Sequence, residues 1–324
     1  MTAMQLLDDY LAERHALGFV AKTDEGCIRR FLQDYIDPVD GNVEFSKEYV
    51  LQHIGNRLNQ KPNTVQREAS AVNGFMDFVI RKGCKAYKIP PRSLPKAPRN
   101  FKAYIFSDDE IERILDAAAH ISPNKQNPLH HHQLPVMFRI LFNCGLRSAE
   151  FRGLRVRDVD LSRNLFVIWD TKFHKNRLVP FTPSVTDSLK RYLQVLMPLT
   201  DDLLLFPSPK TYGRYALYSA SWLQVQLQML LRRAGIPYRG KGQGPRPHDT
   251  RHTFAVHCLN NWVLSGEDLT AALPVLSRYL GHSSLKGTQK YLQLTAQMYP
   301  DITTRLEKQF GDLIPQMEGP HEND

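Results

Sequence analysis

The sequence predicts a mainly α protein with a small β-sheet, divided into two domains, and three observations carry that reading. Of its 324 residues, 42% are hydrophobic and 23% charged, as in a globular chain long enough to bury two cores. Apolar residues before position 82 recur at three- and four-residue spacing, which is the helical period. Further on, LFVIWD (165–170) and RLVPF (177–181) read as short strands joined by the tight polar link TKFHKN.

The first helix follows Leu7, Tyr10, Leu11, Arg14 and Leu17, with the stem of Arg14 flanking the stripe and Gly18 as its stop. Ile28, Phe31, Leu32 and Tyr35 continue the pattern. Ser46 caps a third helix through Tyr49, Val50 and Ile54, and Asn63 caps a fourth through Val65, Val72, Phe75, Met76 and Val79. Four helices with short loops make an all-α bundle over residues 1–82, with Lys61 and Arg67 along one basic edge.

Residues 83–103 read as a linker. Arg81, Lys82, Lys85, Lys88, Arg92, Lys96, Arg99 and Lys102 follow one another without an acidic residue, so most of the net charge of +9 is concentrated there. Pro90, Pro91, Pro95 and Pro98 keep the segment extended. An extended basic strap suits a phosphate backbone, and Lys85, Lys88, Arg92, Lys96 and Arg99 are its expected contacts.

A second domain is expected over 104–312, followed by a flexible tail (313–324). Ser107 and Glu110 form a capping box. Asn124 to His132 reads as a polar loop ending in His130, His131 and His132, adjacent residues that do not converge on a metal. Pro135 starts a helix through Met137, Ile140 and Leu141 that stops at Gly145. After the strands, Pro183 starts a helix through Leu189 and Leu193, and Ser219 opens another that ends at Gly235. RGKGQGPRP (239–247) is a flexible basic loop whose Arg239 and Lys241 are expected to face nucleic acid. The remainder reads as helical and closes on an amphipathic stretch, Ile302, Leu306 and Phe310.

No apolar run approaches a membrane span, and the N-terminus is acidic and amphipathic rather than a signal peptide. Cys27, Cys84, Cys144 and Cys258 are scattered, as expected of reduced thiols in a cytoplasmic protein.

The chemistry is concentrated in four segments: GLRSAE (145–150), TKFHKNRLVP (171–180), HDTRH (248–252) and LGHSSLKGTQKYL (280–292). Arg147, Lys172, His248, Arg251 and His282 can surround a phosphodiester with donors and proton-transfer groups, with Tyr291 among them as nucleophile. A cationic setting would favour its phenolate. Lys175 competes with Lys172, and Tyr299 with Tyr291. The register before RLVP and the nine-residue spacing from His282 favour Lys172 and Tyr291. His248 and His252 stand four apart, as in zinc hydrolases, but Asp249 replaces the general-base glutamate and no third ligand follows at useful spacing. Neither metal nor cofactor is therefore expected.

In order and approximate spacing, these four segments resemble the tyrosine recombinase (phage integrase) family over roughly residues 104–300. The resemblance implies a core-binding helical domain ahead of a catalytic domain, without a further arm-binding domain, in a simple transposon- or Xer-like architecture. It implies that Arg147 and Arg251 grip the scissile phosphate and that Glu150 orients Arg147. Lys172 would protonate the leaving 5′ oxygen, His248 would transfer protons with the nucleophile, and His282 would donate to the phosphate. Tyr291 would form a 3′-phosphotyrosyl bond. The implied partners are double-stranded DNA with specific recombination sites, three further copies of the chain on that DNA, and a directionality factor or partner recombinase. The stretch after Tyr291 would pack on a neighbouring copy. Lys286 and Gly287 depart from the family's small polar pair before Thr288. A type IB topoisomerase and a non-catalytic DNA-binding protein on the same fold are the alternatives.

Overall fold

The computed structural model describes residues 1–19, 22–96, 103–169, 176–209, 216–238, 240, 244–282 and 284–299. Lys172, Lys175, Arg99, Lys102, Arg239, Lys241 and the stretch from Ile302 to Phe310 lie outside the described residues. The chain forms two compact units, one on each side of residue 103.

The first unit is built from α1 (Ala3–Ala16), α2 (Lys22–Phe31), β1 (Glu44–Phe45), α3 (Lys47–Gly55), α4 (Pro62–Arg81) and β2 (Lys85–Ala86). Thr2 and Gln5 close a capping box at the start of α1, and the Ser46 hydroxyl accepts the Tyr49 N–H at the start of α3. The apolar faces meet in one core, where Tyr10 lies edge-on to Phe75 and Phe78. Glu68 of α4 is only 2% exposed, and Arg30, His53 and Arg57 close around its carboxylate at 3.5, 3.1 and 3.5 Å.

Two expectations change here. Helix α4 begins at Pro62 rather than behind an Asn63 cap, because proline is already set for the first helical position. The segment expected to be a linker from residue 83 belongs, through Pro95, to this unit. β2 pairs in parallel with β1, and Ile89 is buried in the core. The Asn73 side chain bonds both backbone groups of Ile89, at 2.8 and 2.9 Å, and Gln66 donates to the Pro95 carbonyl. Burial of Ile89 and satisfaction of these backbone groups outweigh the extended habit of the prolines. Part of the strap's charge is also neutralised, since Arg81 pairs with Glu13, Lys82 with Asp9 and Lys88 with Asp77. Lys61, Arg67, Lys85, Arg92 and Lys96 are exposed and make no ion pair among the described residues.

The second unit comprises α5 (Asp108–Ala119), α6 (His130–Cys144), α7 (Ser148–Gly153), β3 (Val159–Asp160), β4 (Leu165–Ile168), β5 (Arg177–Pro180), α8 (Pro183–Val195), α9 (Ala220–Arg233), α10 (Pro247–Leu264), α11 (Leu269–Leu280) and α12 (Lys286–Met298). The three strands form an antiparallel sheet in the order β3-β4-β5, with Val167 opposite Leu178 and Ile168 opposite Arg177. Phe106, Phe138, Phe142, Phe151, Phe166 and Phe206 anchor the main core, and α10, α11 and α12 enclose a smaller one.

His130, His131 and His132 form the first turn of α6 rather than the end of a loop, and Pro135 lies inside that helix. The turn is held from outside: the buried Asn127 donates to the Tyr218 hydroxyl at 2.8 Å, and His130 Nε2 lies 2.9 Å from Gln226 Oε1. Cys27 and Cys144 are buried and Cys84 and Cys258 half-buried, all four as free thiols. No helix among the described residues is long and apolar enough to cross a membrane.

Candidate active site

Two helix ends build the site. α6 stops at Gly145 (φ 56°) and α11 at Gly281 (φ 66°), both in the left-handed conformation that glycine adopts without strain. A Cβ on Gly145 would lie 2.5 Å from Phe254 Cδ1, and one on Gly281 would crowd Arg177 and Arg147 at 3.1 and 3.3 Å. Glycine is therefore required at 145 for space as well as for backbone shape, whereas at 281 the backbone conformation requires it and a Cβ would press on the two guanidiniums. Both turns aim carbonyls, the negative ends of helix dipoles, at arginines. Arg251, 1% exposed on α10, donates from Nη1 to the Gly145 carbonyl at 2.8 Å and from Nη2 to the Leu280 carbonyl at 2.5 Å. Arg147 Nη2 donates to the Gly281 carbonyl.

Arg147 is braced a second time. Glu150 Oε2 accepts the Arg147 backbone N–H at 2.8 Å, and Oε1 accepts Arg147 Nη1 at 2.7 Å. Arg177 grips the other side of Glu150 at 3.0 and 2.7 Å and donates from Nε to the Tyr279 carbonyl. Burial alone would raise the Glu150 pKa, but hydrogen bonds and charge from Arg177, then from Arg147, bring it down to about 2. The carboxylate is thus permanently ionised. Arg177, at the start of β5, escaped the sequence reading because its RLVP segment reads only as a strand.

His282, just past Gly281, turns Nε2 toward Arg251 Nη2 at 3.0 Å and Nδ1 toward Thr288 Oγ1 at 2.8 Å. Its ring lies parallel to that of Tyr291, with centroids 6.1 Å apart. Tyr291 on α12 is fully buried, and its hydroxyl lies 3.1 Å from His252 Nδ1. His248 lies edge-on to His252 at 4.7 Å between centroids. Lys290 places its ammonium 5.0 Å from the centre of the Tyr291 ring.

Burial, then the charges of Arg251 and Arg147, hold the His282 pKa at about 4. Partial burial and then the charge of Arg251 hold the more exposed His248 at about 4, and burial with Lys290 holds His252 at about 3. All three imidazoles are neutral at pH 7. Tyr291 corrects an expectation: burial raises its pKa, and Arg251 and Arg147 only partly offset that, so the resting side chain is a phenol rather than a phenolate.

Arg147, Glu150, Arg251, His282 and Tyr291 therefore come together, with His248 one ring further out. The structure adds Arg177, His252, Thr288 and Lys290, and the described residues say nothing of Lys172. Of the expected DNA contacts, Lys61, Arg67, Lys85, Lys88, Arg92 and Lys96 belong to the first unit and are exposed, Lys88 in its ion pair.

A buried and a partly exposed arginine, neutral imidazoles and a tyrosine on one framework can offer several hydrogen-bond donors to a single anionic group. The sequence pattern of the phage integrase family matches residues 105–298, more than half of the chain. The chain belongs to that family, as a tyrosine-type site-specific DNA recombinase. The tyrosine recombinase XerD of Lacticaseibacillus casei is 30% identical over 237 residues, 73% of this chain and 74% of that one. XerD of Pseudomonas aeruginosa is 28% identical over 321 residues, covering 93% and 96%. In fold the chain is similar to the Tn1549 transposon integrase in complex with transposon right end DNA, with a TM-score of 0.61 at 16% identity, covering 94% and 99%.

Proposed function

We propose that this recombinase cuts and rejoins duplex DNA through a covalent 3′-phosphotyrosyl intermediate on Tyr291. The observation that carries the reading is the convergence of Arg147, Arg251 and His282 with the Tyr291 phenol around the ends of two glycine-ended helices. The arginines hold the non-bridging oxygens and stabilise the charge that builds up at phosphorus, at about 3 kcal/mol per donor. The Tyr291 oxygen attacks phosphorus as its proton passes to the His252–His248 pair. The P–O5′ bond breaks, and the 5′ oxygen takes a proton from Lys172. A 5′ hydroxyl reverses the attack, so the bond energy is retained and ATP is not needed. Glu150 and Arg177 keep Arg147 in place.

Exchange between two duplexes requires four cleavages, hence four copies on DNA, with the segment after Tyr299 packing on a neighbour. The basic face of the first unit and Arg99, Arg239 and Lys241 contribute phosphate contacts, and a directionality factor or partner recombinase selects the outcome.

The test begins by selecting duplexes bound by the protein from a random-sequence library. The selected site, nicked next to the cleaved position, should trap a covalent adduct on a denaturing gel in the presence of excess EDTA. Absence of an adduct with a bound, nicked site overturns the reading, and restoration by zinc would move the chemistry to a metal at His248 and His252.

A further inference from the structure

We propose that Thr288 is a positioning residue that decides which nitrogen of His282 carries the proton, and that it reverses this choice when phosphate enters. The proposal rests on the recombinase reading above. A guanidinium only donates, so the 3.0 Å contact from Arg251 Nη2 makes His282 Nε2 an acceptor. A neutral imidazole has one N–H, which is then on Nδ1, and Thr288 Oγ1 accepts it at 2.8 Å. A phosphate oxygen only accepts. To donate to it, His282 must carry its proton on Nε2, and Nδ1 must then receive a hydrogen bond.

A hydroxyl can serve both states, because it donates or accepts by rotating its O–H bond. A carboxylate at position 288 would only accept and an ammonium would only donate. Thr288 is fully buried, so its hydroxyl serves the imidazole rather than bulk water. It also lies on α12 one turn before Tyr291, which ties the imidazole to the helix bearing the nucleophile. In the change of state, the Nδ1 proton is lost to solvent, Nε2 gains one from solvent, and the number bound stays constant. Arg251 is freed from the imidazole to face the phosphate.

The direct measurement is 15N NMR of the His282 ring in the whole protein, its signals assigned by their loss in His282→Gln. Without ligand, Nδ1 should be protonated and Nε2 bare, and saturating inorganic phosphate should invert this. Retention of the Nδ1–H form in the phosphate-bound protein overturns the proposal without any substitution. Thr288→Val keeps the branched shape but can neither donate nor accept. It should give mixed tautomers and cleave the nicked site on the order of 10- to 100-fold more slowly, with DNA affinity unchanged. Thr288→Ser should retain both the tautomer and a rate close to that of the unaltered protein. Valine at full speed, or serine as slow as valine, overturns the proposal. If the valine variant does not fold, serine and the phosphate titration decide. If the unaltered protein forms no adduct, the recombinase mechanism fails separately, and the tautomer measurement still stands.

Discussion

The Nδ1 of His252 stands 3.1 Å from the hydroxyl of Tyr291, and both side chains are shut away from solvent. Because burial depresses the imidazole pKa and raises that of the phenol, the pair rests uncharged. The proposed nucleophile is therefore stored as a phenol beside a proton acceptor that is weak until the surroundings change.

Stability should follow the sign of these histidine shifts. His252 falls to about 3 from an ordinary 6.5, so the unfolded chain takes up the proton first as pH drops. Its contribution is complete above about pH 6.5 and declines below that value. Urea unfolding should give a plateau between pH 7 and 8 and a fall toward pH 4, and His252→Asn should make that fall shallower. A decline of unchanged steepness would assign the titration to other groups.

Tyr291→Phe should bind the selected DNA and form no adduct. It leaves His252 Nδ1 without the hydroxyl, a loss of about 1–3 kcal/mol in urea unfolding. Tyr299→Phe should form the adduct normally, and the reverse pattern would identify Tyr299 as the nucleophile.

Arg177→Met should destabilise the second unit by about 3 kcal/mol, because it leaves a nearly buried carboxylate held from one side only. Arg177→Lys should recover little, since one ammonium cannot reproduce two parallel hydrogen bonds. Cleavage should fall in both through the loosened Arg147. Full activity in the methionine variant would remove Arg177 from the brace.

Gly145→Ala should cost about 2 kcal/mol or more, from the clash with Phe254 together with the left-handed backbone. Adding Phe254→Leu should recover the steric share and leave about 1 kcal/mol of backbone strain. Additive effects in this double-mutant cycle would show that the ring is not the obstacle.

Neutralising Lys85, Arg92 and Lys96 should flatten the salt dependence of DNA binding by about 0.9 log–log unit per lost phosphate contact. Neutralising Arg81, Lys82 and Lys88, already paired with Glu13, Asp9 and Asp77, should change it less. Equal slopes for the two triple variants would show that the ion pairs open on DNA.

Helix periods, caps at Ser46, Ser107 and Ser219, and the stop at Gly145 were legible because each depends on residues close in the chain. So were the four polar segments, whose residue types are rare in combination. The fold of residues 84–95 onto the first unit was not, since it depends on Asn73 meeting Ile89. The brace from Arg177 to Glu150, the His252–Tyr291 contact and the protonated state of Tyr291 were hidden for the same reason. Burial is a property of the assembled core, and it reversed the sign expected from neighbouring charges alone.

The carbonyls that grip Arg147 and Arg251 have a consequence for the life of the chain before it is complete. Arg251 reaches back 106 positions to Gly145, and Arg147 reaches forward 134 positions to Gly281. During synthesis, Arg147 leaves the ribosome long before its carbonyl exists, and Tyr291 follows only after both helix ends have been made. On the proposed mechanism, a nascent or prematurely ended chain therefore carries its basic surface before it has the means to break DNA. The tyrosine that attacks on that mechanism is the last member of the site to be made.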